Sequence, residues 1–107
     1  DFESEIPSLI RDLGNGNIPF MYFQEHSPGI FEKAPKEIEM QQLPGYGCGL
    51  DYRLVVAALR DMNYTGLVEI FMHPVPRGIP ILPTVKQITA AINKSRDYIE
   101  QCLEETA

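Results

Sequence analysis

The sequence predicts an α/β fold in which parallel strands carry outer helices, and two observations support this prediction. Segments with helical periodicity alternate with short apolar runs, in the order helix, strand, long loop, helix, strand, loop, long helix. The apolar runs, residues 18–23 and 67–72, consist mainly of aliphatic and aromatic residues and are bounded by Gly, Pro and Asn. This alternation is typical of a parallel sheet whose helices pack on the outside.

The first helix is predicted over residues 4–13, where Ile and Leu recur at steps of three and four. Ser4 is a candidate N-cap, Pro7 is tolerated near a first turn, and Gly14 can supply a left-handed C-cap. Residues 18–23 follow as a strand, and their continuous apolar character predicts burial on both faces.

The second half of the chain repeats this order after a long connection. Residues 25–49 show no clear period, and a connection of that length is often a functional lid. Asp51 is predicted to cap a helix over residues 52–62, which precedes the second strand. Thr84 and Gln87 have capping-box spacing and mark the start of the last helix, which carries an apolar stripe.

Two parallel strands and three helices do not complete a domain, because both sheet edges stay open and many apolar faces stay uncovered. A closed (β/α)8 barrel needs about 250 residues, whereas these 107 residues supply two to three βα units. We therefore expect residues 1–107 to be part of one larger barrel domain. Open edges and apolar helix faces invite pairing, so we also expect a homo-oligomer if the chain folds alone.

The composition limits which binding partners and which cell compartment we expect. Nine Lys and Arg against fifteen Asp and Glu give a net charge of -6. Nucleic acid and anionic membranes attract clustered basic residues, so we expect neither as a partner. Cys48 and Cys102 form no CxxC pair and predict no zinc framework or disulfide scaffold, although a single bridge between them stays open. No apolar run reaches the roughly 18 residues of a membrane span, and we expect a cytoplasmic protein.

A series of motifs in the middle of the chain resembles one protein family. Residues 45–52 are Gly-Tyr-Gly-Cys-Gly-Leu-Asp-Tyr, residues 57–59 are Ala-Ala-Leu, and residues 63–66 are Asn-Tyr-Thr-Gly. This order resembles the glycine-rich turn, the seventh helix and the turn into the eighth strand of xylose-isomerase-like barrels, the sugar phosphate isomerases and epimerases. The resemblance covers about residues 4–104. It implies the C-terminal part of a TIM (β/α)8 barrel, roughly helix six to helix eight.

The resemblance also implies a divalent metal, Mn²⁺, Mg²⁺ or Zn²⁺, held at the C-terminal mouth of the barrel by two Glu, an Asp and a His. At most two of these ligands, the His of strand seven and a Glu of strand eight, would fall within this chain. The chain departs from the family pattern at both positions, with Tyr22 in place of the His and Phe71 in place of the Glu. The metal site is therefore shifted, remodelled around His26, Glu69 and His73, or lost.

Five residues are candidates for the site of the complete protein. Glu69 lies two residues before Phe71 on the same strand face, roughly 6–7 Å deeper, and is a candidate metal ligand or base. His26 is a candidate metal ligand or proton carrier, and His73 a candidate ligand, proton carrier or substrate contact. The other two are Glu25, which can orient a ligand, and Arg77, which can grip a phosphate or carboxylate from a proline-stiffened loop. The alternatives are purely structural roles. In these, Glu69 forms an ion pair with a basic residue, and the other four residues are ordinary loop residues.

We therefore expect the complete protein to isomerise or epimerise a sugar or sugar phosphate beside its carbonyl with divalent-metal assistance, and the isolated part to be inactive. The alternative is a non-catalytic barrel that has lost its metal site and binds a ligand or another protein. A metal-dependent endonuclease of abasic DNA, from the same superfamily, is less favoured. Those enzymes need several metal-binding His residues and a basic groove, whereas this chain has two His and a negative net charge.

Overall fold

The computed structural model describes residues 2–24, 35–46, 50–73, 75 and 81–107. In chain order it contains α1 (Phe2–Leu13), β1 (Phe20–Phe23), α2 (Lys36–Glu39), a one-turn 3-10 helix (Met40–Gln42), α3 (Tyr52–Asp61), β2 (Leu67–Ile70) and α4 (Val85–Glu105). The predicted alternation of helices and strands is confirmed, and the chain is a mixed α/β structure with a two-stranded parallel sheet. The short α2 and the 3-10 helix lie in the connection where no period was visible.

The helices pack on one face of the two strands, where Val68 nevertheless stays 41% exposed. Phe23 is 3% exposed and packs with side chains of the helices, whereas on the opposite face Tyr22 is 56% exposed and Leu67 is 70% exposed. The prediction that both strands are buried on both faces is therefore wrong for the described chain. The reason is physical: apolar composition predicts that both faces need cover, and the packed helices supply it on one side.

The first helix starts earlier than its sequence signals indicate. It begins two residues before Ser4, so the prediction that Ser4 is its N-cap is wrong. Pro7 is buried and lies beyond the first turn, and the helix continues through it. Gly14 has a φ of +74° and its N–H donates to the carbonyl of Ile10 at 3.2 Å. This geometry confirms the left-handed C-cap, which glycine adopts without a steric penalty.

The third helix begins where its cap was predicted. The carboxylate of Asp51 accepts a hydrogen bond from the backbone N–H of Arg53 at 3.0 Å, and the Arg53 guanidinium lies 2.8 Å from the same carboxylate. Asn63, two residues beyond the end of the helix, has a φ of +53° and turns the chain toward β2. Ala58 is fully buried, so its small side chain allows α3 to lie close to its neighbours.

The last helix is also capped as predicted. The Thr84 hydroxyl accepts from the backbone N–H of Gln87 at 3.2 Å. The buried face of α4 comprises Ala91, Ser95, Ile99 and Cys102. Val85, in the first turn, lies outside that face and is 79% exposed. Within the part of the chain that the structure describes, none of the helices combines the length and the apolar character that a bilayer crossing requires.

Buried side chains form two clusters. The larger one lies between the sheet and α1, α3 and α4, with Phe23 and Val56 among its members. The smaller one comprises Leu43, Met72, Ile81 and Ala91. Because Met72 follows β2 and Leu43 follows the 3-10 helix, the smaller cluster joins the segments next to the carboxyl end of the sheet to α4.

Two hydrogen bonds fix the loop after the 3-10 helix against α4. Ser95 is fully buried, and its hydroxyl donates to the carbonyl of Pro44 at 2.7 Å. The Tyr46 hydroxyl donates to the carbonyl of Ala91 at 3.1 Å. Since Gln42 directly precedes this loop, α4 indirectly determines where the Gln42 side chain can reach.

Candidate functional site

The sheet face that the helices leave uncovered carries one carboxylate among apolar neighbours. On this face Phe20 is in register with Leu67, and Tyr22 is in register with Glu69. Residues paired in register on parallel strands point to the same side of the sheet. All four are exposed, with 41% for Phe20, 56% for Tyr22 and 70% for Leu67. Among the described residues, the face therefore combines a large apolar surface with one acidic group, Glu69.

Aromatic rings extend this face toward the carboxyl ends of the strands. The ring of Tyr22 lies 4.8 Å from that of Phe20 at an interplanar angle of 86°. It lies 5.5 Å from the ring of Phe71 at an angle of 59°. Edge-to-face and tilted contacts of this kind are the favoured arrangements of aromatic rings. The three rings make a largely apolar wall beside Glu69, the kind of lining that small-molecule sites combine with a few polar groups.

The described residues can supply only part of a metal site. The Glu69 carboxylate is of the type that Mg²⁺ and Mn²⁺ prefer. Its in-register neighbour Tyr22, however, is neither an acid nor an imidazole. Across the described ranges, from 2–24 to 81–107 with their gaps, no three His, Cys, Asp or Glu side chains come together to hold an ion. Glu69 can therefore contribute one ligand, and a complete metal site would need others.

Three of the five predicted site residues lie outside the described residues: Glu25, His26 and Arg77. Of the other two, Glu69 lies on the uncovered sheet face and His73 follows β2, and both are exposed. The structure thus assigns both residues to the sheet or its carboxyl end. That edge is where parallel α/β folds carry their functional groups.

A buried glutamine joins the carboxyl ends of the two strands. Gln42 is 4% exposed, and its Oε1 accepts from the backbone N–H of His73 at 2.9 Å and from Nε2 of Gln24 at 3.2 Å. Its Nε2 donates to the carbonyl of His73 at 3.1 Å. The amide therefore binds both backbone polar groups of His73 and the first residue after β1.

The imidazole of His73 has a defined partner. Its Nδ1 accepts a hydrogen bond from the backbone N–H of Val75 at 3.2 Å. A neutral imidazole carries its proton on one nitrogen only, so a ring that accepts at Nδ1 carries its proton on Nε2. In this arrangement the neutral ring of His73 offers an N–H donor at Nε2.

Gln42 was not among the residues predicted from the sequence. It lies in a segment with neither a helical nor a strand period, where burial of a polar side chain has no pattern to reveal it. The one available signal is its position directly before Leu43-Pro44-Gly45, because a turn fixed by proline and glycine can direct the preceding side chain into the fold.

A second group of ionisable side chains lies around the start of α3, in an open hollow of about 320 Å³. The hydrogen bond from Arg53 holds the pKa of Asp51 below its usual range. Burial raises the pKa of the Tyr98 hydroxyl and of the free Cys102 thiol. A thiol with a raised pKa is a poor nucleophile, and Asp51 is engaged in capping α3, so this group stabilises the fold.

No family model, no curated protein and no solved structure matches this chain. Function is therefore inferred from three features of the chain itself. They are the register of the two strands, the uncovered face that bears Glu69, and the contacts that Gln42 makes at the strand ends.

Proposed function

We propose that residues 1–107 form the C-terminal part of a xylose-isomerase-like (β/α)8 barrel, and that the complete protein isomerises or epimerises a sugar or sugar phosphate beside its carbonyl. One observation carries this proposal: Glu69 lies in register with Tyr22 on the sheet face that no described helix covers. In a closed barrel the helices lie outside, and the opposite face of each strand lines the interior.

The exposure pattern supports the barrel. Leu67 and Tyr22 expose more than half of their surface here, yet both lie in strands of otherwise apolar composition. Six further strands would bury these side chains and would also close the open edge of β2. Gln24 and His73, at the carboxyl end of the sheet, would then lie at the mouth of the barrel, where such folds bind substrate.

The chemistry follows from the groups on the proposed interior face. Glu69 would act as a metal ligand or as the base that removes the proton from the carbon beside the carbonyl. A bound Mg²⁺, Mn²⁺ or Zn²⁺ would polarise the sugar oxygens. The wall formed by Phe20, Tyr22 and Phe71 would contact the C–H face of the sugar and exclude water. Arg77 would bind a phosphate, and Glu25 and His26 would complete the site next to strand seven.

A non-catalytic barrel is the second candidate, and a specific observation favours it. Tyr22 and Phe71 occupy the positions where the family pattern has metal ligands, and their rings are in contact at 5.5 Å. No three-residue metal group exists among the described residues. A barrel with this interior would bind an apolar or sugar ligand without changing it.

The deciding experiment uses the complete protein. Its bound metal is measured after purification, and it is then incubated in D2O with xylose, fructose and their phosphates while NMR follows deuterium at the carbon beside the carbonyl. We expect bound metal and deuterium incorporation, which Glu69→Gln lowers by about 10²-fold or more. The matched control is Glu104→Gln, an exposed acid on α4, which leaves the rate unchanged. Absence of both metal and deuterium would contradict the enzyme and support the non-catalytic barrel.

A further inference from the structure

We propose that Gln42 is a positioning residue of this site. It holds the backbone of His73 at the carboxyl end of the sheet, so that His73 offers its Nε2–H as a hydrogen-bond donor to an oxygen of the bound sugar. The identification of the ligand as a sugar rests on the proposed function. The arrangement of Gln42 and His73 does not, and it can be tested separately.

Gln42 binds His73 twice, by accepting from its N–H at 2.9 Å and by donating to its carbonyl at 3.1 Å. A side-chain amide that binds both backbone groups of one residue imitates a neighbouring strand and fixes that residue in position and direction. The same amide accepts from Gln24 after β1, so His73 is held at a constant offset from the other strand.

Gln42 is 4% exposed, and the loop that follows it is fixed by the bond from Ser95 to Pro44. A buried amide that loses its partners is not compensated by water, so breaking the contacts of Gln42 with His73 is unfavourable. A buried polar network of this kind also selects one arrangement of the segments it joins.

His73 is exposed, and its Nδ1 accepts from the N–H of Val75 at 3.2 Å. In the neutral ring the proton is therefore on Nε2, a nitrogen that has no partner among the described residues and can contact a ligand. When a proton leaves the carbon beside a carbonyl, negative charge develops on the carbonyl oxygen. A fixed N–H donor stabilises that charge more strongly than it stabilises the ground state.

The test is the protonation pattern of the His73 ring in the ¹⁵N-labelled complete protein. It is read at mildly alkaline pH from two-bond ¹⁵N–¹H correlations, which differ between the two neutral tautomers, and it is assigned by loss of the signal in His73→Asn. We expect the Nε2–H tautomer in the unchanged protein and a mixture of both tautomers in Gln42→Ala. The matched control is Gln41→Ala, which removes the adjacent glutamine and none of the bonds to His73, and it should retain a single tautomer.

The kinetic readout separates positioning from stability. With a sugar that the protein turns over, Gln42→Ala should lower kcat by about 10²-fold and change KM little, because the donor acts mainly on the developing charge. An Nδ1–H tautomer in the unchanged protein would overturn the inference, and so would an unaltered ring in Gln42→Ala. If the protein turns over no sugar, the proposed function fails, while the ring measurement still decides the role of Gln42.

Discussion

The ring of Tyr64 occupies the space that a side chain on Gly66 would need. A methyl group on Gly66 would overlap the Tyr64 hydroxyl end and would lie 2.9 Å from the carbonyl of Ile18. The same hydroxyl donates to the carbonyl of Leu67 at 3.0 Å. The close contact and the hydrogen bond together fix the amino end of β2, and both depend on the absence of a side chain at residue 66.

We expect Gly66→Ala to destabilise the protein by about 1–3 kcal/mol, because the backbone at Ile18 cannot move away without disturbing β1. Tyr64→Phe, which keeps the ring and removes the hydroxyl, should cost about 1 kcal/mol. Urea unfolding of each variant measures both values. Thr89→Ala, on the exposed side of α4, is the control, and equal stability of Gly66→Ala and this control would contradict the packing.

Asp51 should give the stability a defined pH dependence. Its pKa is lowered, chiefly by the hydrogen bond from Arg53, so the folded state binds a proton at this carboxyl less readily than the unfolded state does. The contribution of Asp51 to the stability of the fold is therefore fully present above its pKa in the unfolded state, about 3.9. It is lost as the pH falls through the lower pKa of the folded state. Asp51→Ala should lower the free energy of unfolding by about 1 kcal/mol at neutral pH. Below about pH 4, the difference in stability between this variant and the unchanged protein should become smaller.

The control for this prediction is Asp97→Ala, which removes a largely exposed acid of α4 whose side chain is 69% accessible. Its effect should stay within about 0.5 kcal/mol at both pH values. Urea unfolding at neutral and at acidic pH measures the two variants side by side. If Asp51→Ala loses the same amount of stability at neutral and at acidic pH, the capping by Asp51 does not depend on the charge of its carboxylate.

Leu67 and Val85 provide a direct test of the barrel, because both are strongly exposed here, at 70% and 79%. If other strands cover the sheet face in the complete protein, Leu67→Lys should destabilise that protein by about 2 kcal/mol or more. Val85→Lys, on the outer helix, should change its stability by less than about 0.5 kcal/mol. Equal and small effects of the two substitutions would mean that the sheet face is solvated and that no barrel encloses it.

The Cys102 thiol should react slowly in the folded protein. It is 1% exposed, and burial raises its pKa, so both access and thiolate formation are suppressed. In a Cys48→Ala variant, iodoacetamide should label Cys102 many times faster in concentrated urea than in buffer. Equal rates in the two solvents would contradict the burial of this side chain.

The elements with local signals were the ones that could be predicted from the sequence. Asp51 and Thr84 cap their helices through side-chain bonds that depend on a few neighbouring residues, and Gly14 ends α1 through its own φ. Ser4 failed as a signal because the same residue type is also compatible with the first turn of a helix. A local sequence pattern therefore locates a helix end only when no neighbouring position fits the same pattern.

The candidate site was predictable only in part, because it depends on distant contacts. Glu69 could be identified as an acid within an apolar strand, and the strand period placed it on the face of Phe71. Gln42 could not be identified, since its importance lies in bonds to His73, 31 residues away. The exposure of Tyr22 was also unpredictable, because the apolar composition of a strand predicts that the strand is buried but not which elements bury it.

The bond from Ser95 to Pro44 has a consequence for biosynthesis. Ser95 follows Pro44 by 51 residues, a stretch that takes roughly 3–10 s to translate at ordinary ribosome speeds. During that interval the loop that supports Gln42 has emerged while the helix that anchors it has not. A nascent chain in this state can form its early helices and strands, but the loop next to Gln42 becomes fixed only when α4 docks and Ser95 binds the carbonyl of Pro44.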